Sequence, residues 1–492
     1  MTLSNLWLIQ SILVGLLLGV GFVIPSLWFL SIVGVAWLIN QMIKDGALVT
    51  VGFVWVAWLV KYLLALGWFW SVYPIYLLET SVVTEALIIG FYWVTASLWL
   101  SVGGLVFYFI LKNLKQFLSK KIVLGIAPFI WLLSEIIGAL FFSIATIGPG
   151  GTVTTKFSFG FIGYHLAQHD LLIQFAVVAG VYGLTLLLLG LSVIFIYGWQ
   201  ANYRKTVYGV FFVLLASNFI GLPQTTTFQK EDQISIVIVD TWYPNNGWAS
   251  DEDLKKKRDQ NRAALDVALT QNADYIIFPE DSQVFDQAVP SSTLRAMMQF
   301  LYGRSSSVII DSSSVPVEGG LAVQAMVFDP NSAELEQIQK QYLVPQGEYI
   351  PTLYAGLMRL FGLVETVDFL EMRMRYRVGD VTSTNSNSSL PPVLFCFESV
   401  APNSVRSLLQ QRSEPVPFVA HIVSHSWFNE PEILWQQLES MLRIQAIWND
   451  THIAVAGNHS LGYVVGPKGF IIEPDVIDSA DYWQVGVVTI PK

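Results

Sequence analysis

One cysteine in 492 residues, Cys396, rules out any intramolecular disulfide. That thiol is either a small buried apolar group or a reactive one. Charge is scarce as well. Asp, Glu, Lys and Arg make up 13% of the chain, against roughly 25% in an average soluble domain. The net charge is −10, and a chain this acidic lacks the basic face that nucleic acid requires. No self-similarity at periods of about 20–50 residues marks a solenoid. The first apolar run has neither a basic leader nor a small-residue cleavage site, which predicts an uncleaved anchor instead of a signal peptide.

What is present is unevenly spread. Residues 1–222 are almost wholly apolar and hold 9 Lys and Arg against 5 Asp and Glu, whereas the remainder holds 18 against 32. The chain therefore divides into a membrane domain (1–222), a polar linker "PQTTTFQKEDQ" (223–233) and an acidic domain (234–492) long enough to bury its own core. A spanning helix takes about 20 mostly apolar residues. Seven stretches qualify: Leu6–Ile24, Ser26–Ile43, Ala47–Ser71, Val83–Leu111, Ile122–Ile147, Leu171–Tyr197 and Val207–Leu222. With the N-terminus in the cytoplasm, the cytoplasmic loops carry Lys44, Lys112, Lys115, Lys120, Lys121, Arg204 and Lys205, and the external loops only Lys156. This bias predicts a multi-pass protein of the plasma membrane with its acidic domain outside the cytoplasm.

In the acidic domain, short β-branched runs alternate with helical stretches. Strands are expected at Ile234–Asp240, Asp274–Pro279, Ser306–Asp311, Val323–Asp329, Val393–Phe397, Phe418–Ser424, His452–Gly457, Gly462–Val465 and Val485–Ile490, and helices at Asp251–Gln271, Ser292–Leu301 and Glu432–Asn449. That alternation predicts an α/β domain with sheet packed on helices. An insertion of about residues 352–390 interrupts it, opening with "TLYAGLMRLFGLVETVDFL" at helical apolar spacing. It reads either as an interfacial lid helix or as an amphipathic helix on the domain's own core.

Three stretches place reactive residues just outside apolar runs: "YIIFPEDS" with Glu280, "QIQKQYLVPQGEYIP" with Lys340 and Glu348, and "VLFCFES" with Cys396. A thiol attacks a carbonyl as its thiolate, so it needs a depressed pKa or a base at hand. A partly desolvated glutamate can take the thiol proton and return it to the leaving group. An ammonium then stabilises the oxyanion of the tetrahedral intermediate. Glu, Lys and Cys thus form a complete acyl-transfer set that calls for no metal and no organic cofactor.

The order Glu280, Lys340, Cys396 resembles the triad of the nitrilase (carbon–nitrogen hydrolase) superfamily, which implies an αββα sandwich. The chain is more similar still to that superfamily's membrane branch, the apolipoprotein N-acyltransferases. The matching motifs are Pro279-Glu280, Lys340 followed by Leu343-Val344-Pro345-Gln346-Gly347-Glu348, and Cys396-Phe397-Glu398, with "SWFNEP", "GYVVGPKG" and "LIQFAVVAGVYGLTLLLLG" alongside. The resemblance implies that Cys396 takes an acyl chain from a phospholipid, with phosphatidylethanolamine the expected donor. The thioester then acylates the free amine of a diacylglyceryl-cysteine lipoprotein. It implies Glu280 as general base and acid, Lys340 as oxyanion stabiliser, and Glu348 as a residue that orients the lysine or assists proton transfer. Glu398, Phe397 and Trp248 would support the pocket, the insertion would act as a lid, and the enzyme would be a monomer in a bacterial inner membrane. Departures from the family pattern are Phe397 for Tyr, Gln346 for Phe, Asp281 for Ser or Thr, Asn458-His459-Ser460 for Asn-Asn-Gly, and an end at "VGVVTIPK" where the family has an eighth spanning helix. Two other readings fit the same residues: a membrane-anchored amidase or hydrolase, and an idle relative that binds lipid.

Several residues fall outside this scheme. His421 and His425 lie four apart on an expected strand, about 13 Å along it, which suits one metal ion poorly. Lys61 and Glu135 lie within expected spans, where charges are functional suspects by default, although snorkelling or structural pairing accounts for them equally well. "EILWQQLESMLRIQA" reads as a helix covering the sandwich, and Arg373, Arg375 and Arg377 as lipid-phosphate contacts or a solvated edge.

Overall fold

The computed structural model describes residues 3–44, 50–75, 81–149, 151, 153–200, 203–217, 233–243, 250–285, 296, 306–330, 336–379, 389–429 and 431–492. Trp248, the linker up to residue 232 and, but for residue 296, the helix expected over Ser292–Leu301 lie outside the described residues. The N-terminal apolar runs are helical, the form that satisfies every backbone group within one segment in lipid. They are α1 (Leu3–Gly19), α2 (Leu30–Ile43), α3 (Val51–Ala65), α4 (Val82–Phe117), α5 (Lys120–Ala145), α6 (Ala176–Gln200) and α7 (Arg204–Ser217). The runs Val82–Phe117, Lys120–Ala145 and Ile173–Gln200 are long and apolar enough to cross a membrane, while Leu6–Phe22, Leu30–Ile43 and Val51–Ala65 are apolar but shorter. The protein is a membrane protein with a helical membrane domain and an α/β domain.

Small residues let the helices approach closely, as they do in membrane bundles. A Cβ on Gly103 would run into the carbonyl of Ser134, and one on Gly138 into that of Leu100, which locks α4 against α5. Helix α4 has 36 residues, about 54 Å at 1.5 Å per residue. That far exceeds the hydrocarbon thickness of about 30 Å, so α4 reaches beyond the apolar layer and meets the α/β domain.

The α/β domain is layered helix, sheet, sheet, helix. One sheet runs β11 (Asp475–Ala480), β12 (Trp483–Pro491), β1 (Gln233–Thr241), β2 (Tyr275–Ile277), β3 (Val308–Val317), β4 (Gly320–Phe328) and β5 (Glu336–Gln339). The other runs β6 (Val393–Phe395), β7 (Val419–Ser424), β8 (Ile453–Asn458), β9 (Tyr463–Val465) and β10 (Ile471–Ile472). The two join through the pair Thr241–Asn458. Alternation along each strand builds the layers. Ile234, Ile236 and Ile238 face Phe395, Ala420, Ile422 and Ala454 between the sheets. Val237 and Val239 face outward onto Ala264, Leu265 and Ala268 of α8 (Asp251–Thr270). On the far side, Leu394, Val419 and Val455 pack against α11 (Ser404–Gln410) and α12 (Glu432–Asn449).

Helix α12 is buried on two faces. Leu442 and Ala446 cover the sheet, while Leu434, Leu438, Met441, Ile444 and Ile447 belong to the core of the membrane helices. Its Gln437 Nε2 donates to the carbonyl of Ala65 at 2.9 Å. The expectation of a helix covering the sandwich holds, with a second, membrane-facing contact added. The insertion forms α9 (Thr352–Leu360) and α10 (Val364–Arg373). The helices are amphipathic, but their apolar faces pack on each other and not on the core of the domain. Ala355, Met358, Val367 and Leu370 make a small core of their own, while Leu360 and Phe361 at the tip stay exposed. The base is tied to the membrane helices by Tyr349 Oη, which donates to Thr146 O at 2.8 Å.

Candidate active site

The candidate residues sit where strands end. Chain leaving β2 passes through Phe278, whose N–H donates to Ile310 O, and Pro279 to Glu280. It then turns through Asp281 and Gln283, both at positive φ, 61° and 56°. Ser312 Oγ on β3 accepts the Asp281 N–H at 2.8 Å. Lys340 follows β5 directly, its N–H donating to Val323 O on the neighbouring strand. Cys396 opens the 3-10 turn Cys396–Val400 immediately after β6.

These residues converge on one cluster. The Lys340 ammonium donates to Glu280 Oε1 at 2.9 Å and to Glu348 Oε1 at 2.7 Å. All three side chains are buried, the lysine to 1% exposure. Glu348 Oε2 accepts the Val344 N–H at 2.7 Å, which closes the Val344–Glu348 turn on its own carboxylate. Glu398 clamps the lysine loop to the thiol strand. Its Oε1 accepts N–H bonds from Gln341 (2.6 Å) and Tyr342 (3.2 Å), and its Oε2 accepts from Phe395 (3.0 Å). The Cys396 thiol points at Ser424 O, 3.9 Å away, and His421 Nε2 donates to Cys396 O at 3.3 Å. Phe397 lies against Phe157 and Phe159 in tilted ring contacts, with centroids 5.4 and 5.7 Å apart.

Burial pushes Glu280 up to about 7. Lys340 opposes the rise, and Glu348 and Asp281 reinforce it. The Cys396 thiol is pushed up to about 12, by burial first and by the Glu280 charge second. Burial alone would lower Lys340, but Glu280 and Glu348 together outweigh it and hold the ammonium protonated. The resting thiol is therefore neutral, and Glu280 titrates near neutrality, where its ionised form can accept a proton. Burial holds His421 at about 4 and His425 at about 3, so both are neutral. His425 Nδ1 accepts the Trp435 indole N–H at 3.0 Å, and the histidines serve the framework around the thiol.

A cavity of about 320 Å³ is lined by Glu280, Lys340, Glu348 and Cys396. Its other walls are largely apolar and come from three parts of the chain: Trp68, Ile88 and Tyr92 of the membrane domain, Met358 and Leu370 of the insertion, and Trp427, Phe428 and Leu438 of the α/β domain. Nothing in the sequence marks Trp68, Ile88 and Tyr92, whose apolar character is shared with the other residues of the spans. Nor does it mark Lys257, whose ammonium reaches Asp281 Oδ2 at 3.1 Å.

A buried Glu–Lys–Glu cluster and a thiol thus line one cavity at strand ends of an αββα sandwich. No protein-family model matches the chain. It is similar to proteins named apolipoprotein N-acyltransferase from Rickettsia prowazekii, 22% identical over 353 residues, and from Nitrosomonas europaea, 24% identical over 333 residues. These matches cover 68% and 66% of this chain and 66% and 63% of the relatives, so the chain spans just under two thirds of their length. Among solved structures, a CN-hydrolase superfamily protein of Xanthomonas campestris with an arsenic adduct in its active site aligns with TM-score 0.34 and 16% identity, over 52% of this chain and 90% of that one. The glutamine-dependent NAD+ synthetase of Acinetobacter baumannii aligns with TM-score 0.31 and 14% identity, over 52% and 45%. The chain is thus similar in sequence, at 22–24% identity, to proteins named apolipoprotein N-acyltransferase.

Proposed function

We propose that this protein N-acylates lipoproteins, moving an acyl chain from a phospholipid through a Cys396 thioester to the amine of a diacylglyceryl-cysteine. One observation carries the reading: the Glu280–Lys340–Cys396 cluster opens into a cavity whose apolar walls include membrane helices. A hydrolase of small soluble amides has no need of such walls, whereas an acyl chain drawn from a bilayer does. Cys396 Sγ attacks the ester carbonyl carbon as Glu280 takes the thiol proton. The Lys340 ammonium stabilises the oxyanion. Collapse breaks the ester C–O bond, the lysophospholipid alkoxide takes the proton from Glu280, and the acyl group remains on sulfur. The acceptor amine then attacks the thioester, Glu280 receives its proton, and the proton passes to the departing sulfur. Glu348 and Glu398 hold Lys340 and its loop in register. In this reading the protein works as a monomer without a cofactor, residues 1–222 anchor it in a bacterial inner membrane, and residues 234–492 act outside the cytoplasm under the 352–390 lid.

The test is intact mass spectrometry of the detergent-purified protein after incubation with phosphatidylethanolamine, beside Cys396→Ala. The expected result is an added acyl mass that hydroxylamine removes, that the variant lacks, and that passes to a diacylated lipopeptide. Release of fatty acid with no transfer to the lipopeptide would favour the hydrolase instead.

A further inference from the structure

Lys61 on α3 and Glu135 on α5 form an ion pair with both side chains fully buried among the membrane helices. The Lys61 ammonium also lies over the rings of Tyr62, Trp58 and Trp131, 4.5, 4.9 and 5.9 Å from their centroids. Stability alone is a weak reason for such a pair, since replacing a buried ion pair by apolar side chains of similar volume is often neutral or stabilising. The informative contact is a third one. Glu135 Oε1, which accepts from Lys61, also accepts the backbone N–H of Ile162 at 3.1 Å.

Ile162 begins the short 3-10 helix Ile162–Gln168, which closes the segment between α5 and α6. That segment runs to the thiol. Four residues before Ile162, Ser158 gives both its N–H (3.2 Å) and its hydroxyl (2.6 Å) to the carbonyl of Val400. Val400 is the last residue of the 3-10 turn that Cys396 opens. Phe157 and Phe159 hold Phe397, the residue after the thiol, between them. Gly160, between these contacts, has φ of +67°, and a Cβ there would lie 2.8 Å from the Tyr62 ring. The segment therefore passes with little clearance from the ion pair to the nucleophile turn.

We propose that Glu135, paired with Lys61, is a positioning residue for the nucleophile: it anchors residues 157–168 through the Ile162 N–H, and they fix the Cys396–Val400 turn. That Cys396 is a nucleophile rests on the acyl-transfer reading, but the positioning of its thiol does not. The test compares two double variants of the full-length protein in detergent. Lys61→Met with Glu135→Gln removes both charges and keeps an oxygen that can accept from Ile162. Lys61→Met with Glu135→Leu removes the charges and the acceptor.

A misplacement of about 1 Å at a reacting atom costs about a hundredfold in rate, and the turn is only partly freed. The Leu double variant is therefore expected to acylate Cys396 at least about tenfold more slowly, with the donor concentration at half-maximal rate unchanged. Its Cys396 should react at least about threefold faster with a small maleimide as the turn loosens, whereas the Gln double variant stays within about threefold of the parent in both assays. The maleimide contrast needs no enzymatic turnover, so it decides the positioning even if the parent forms no acyl-enzyme. If the two double variants behave alike in the maleimide assay, the Ile162 anchor does not position the thiol and the inference falls. Should the Leu variant fail to fold, Ser158→Ala tests the other end of the bracket, where an unchanged maleimide rate would likewise overturn it.

Discussion

The acylation half-reaction should depend steeply on pH, in a direction fixed by the environment of Glu280. In the proposed mechanism the carboxylate is the proton acceptor, so the active form would be ionised and activity would be lost as pH falls through its pKa. Burial, with Glu348 and Asp281 adding to it against the opposing Lys340, puts that pKa at about 7 instead of the ordinary 4.5. At pH 5 about 1% of a group of pKa 7 is ionised and at pH 8 about 90%, whereas a group at 4.5 would be about 75% ionised at pH 5 already. The initial rate of acyl-enzyme formation should therefore rise about ninetyfold from pH 5 to pH 8, against about 1.3-fold for an unperturbed glutamate. Rapid-quench intact mass spectrometry at saturating phospholipid reads this rate directly. Because the thiol is held at about 12, no second rise from a preformed thiolate is expected below that range. Asp281→Ser removes a charge that raises Glu280, so its limb should move to lower pH. A rate that stays flat down to about pH 5.5 would refute both the burial argument and Glu280 as the base.

Replacing Lys340 by Met removes the proposed oxyanion partner and leaves Glu280 and Glu348 without their ammonium, so acyl-enzyme formation should fall by about 10²–10³-fold. Any residual rate should show its acid limb at higher pH, since Lys340 lowers Glu280. Glu398→Gln keeps the size of the clamp but puts an NH2 group against a backbone N–H, at a cost of about 2–4 kcal/mol, visible as a lower midpoint in thermal unfolding and a slower acylation. Gly160→Ala forces a side chain into a positive-φ position against Tyr62, and should cost about 1–3 kcal/mol in the same unfolding experiment.

What could be read from the sequence, and what could not, follows from the range of the interactions involved. Strands such as Gln233–Thr241 announce themselves because alternate residues face the intersheet core and α8, so five of the six residues Ile234–Val239 are apolar. Strand β5, "EQIQ", did not, because four partly polar residues at a sheet edge carry no periodicity to detect. The same holds for β11, "DVIDSA", which is exposed along its whole length and owes its form to pairing with β12. Glu280, Lys340, Glu348 and Cys396 stood out because each follows an apolar run within a recognisable motif. The third wall of the cavity had no such mark. Ile88 and Tyr92 meet Lys340 and Glu348 only because α4 extends beyond the apolar layer, a fact of length and packing between positions some 250 residues apart in the chain.

The charge arrangement also constrains how the chemistry can proceed. With Glu280 ionised beside the Lys340 ammonium, a thiolate would add a further negative charge to a buried, apolar-walled site. Burial and the Glu280 charge accordingly keep the thiol protonated. If sulfur attacks while Glu280 takes its proton, the negative charge leaves the carboxylate and reappears on the acyl oxygen, facing the same ammonium. The charge of the cavity does not change at any point. A site that excludes water could not solvate a newly created ion, but it can stabilise one that merely moves between positions already faced by Lys340. On this argument the raised pKa of Glu280 is a requirement of the mechanism. A carboxylate at its ordinary value would hold the charge too firmly to pass it on, and too weakly hold the proton that the leaving alkoxide must take back.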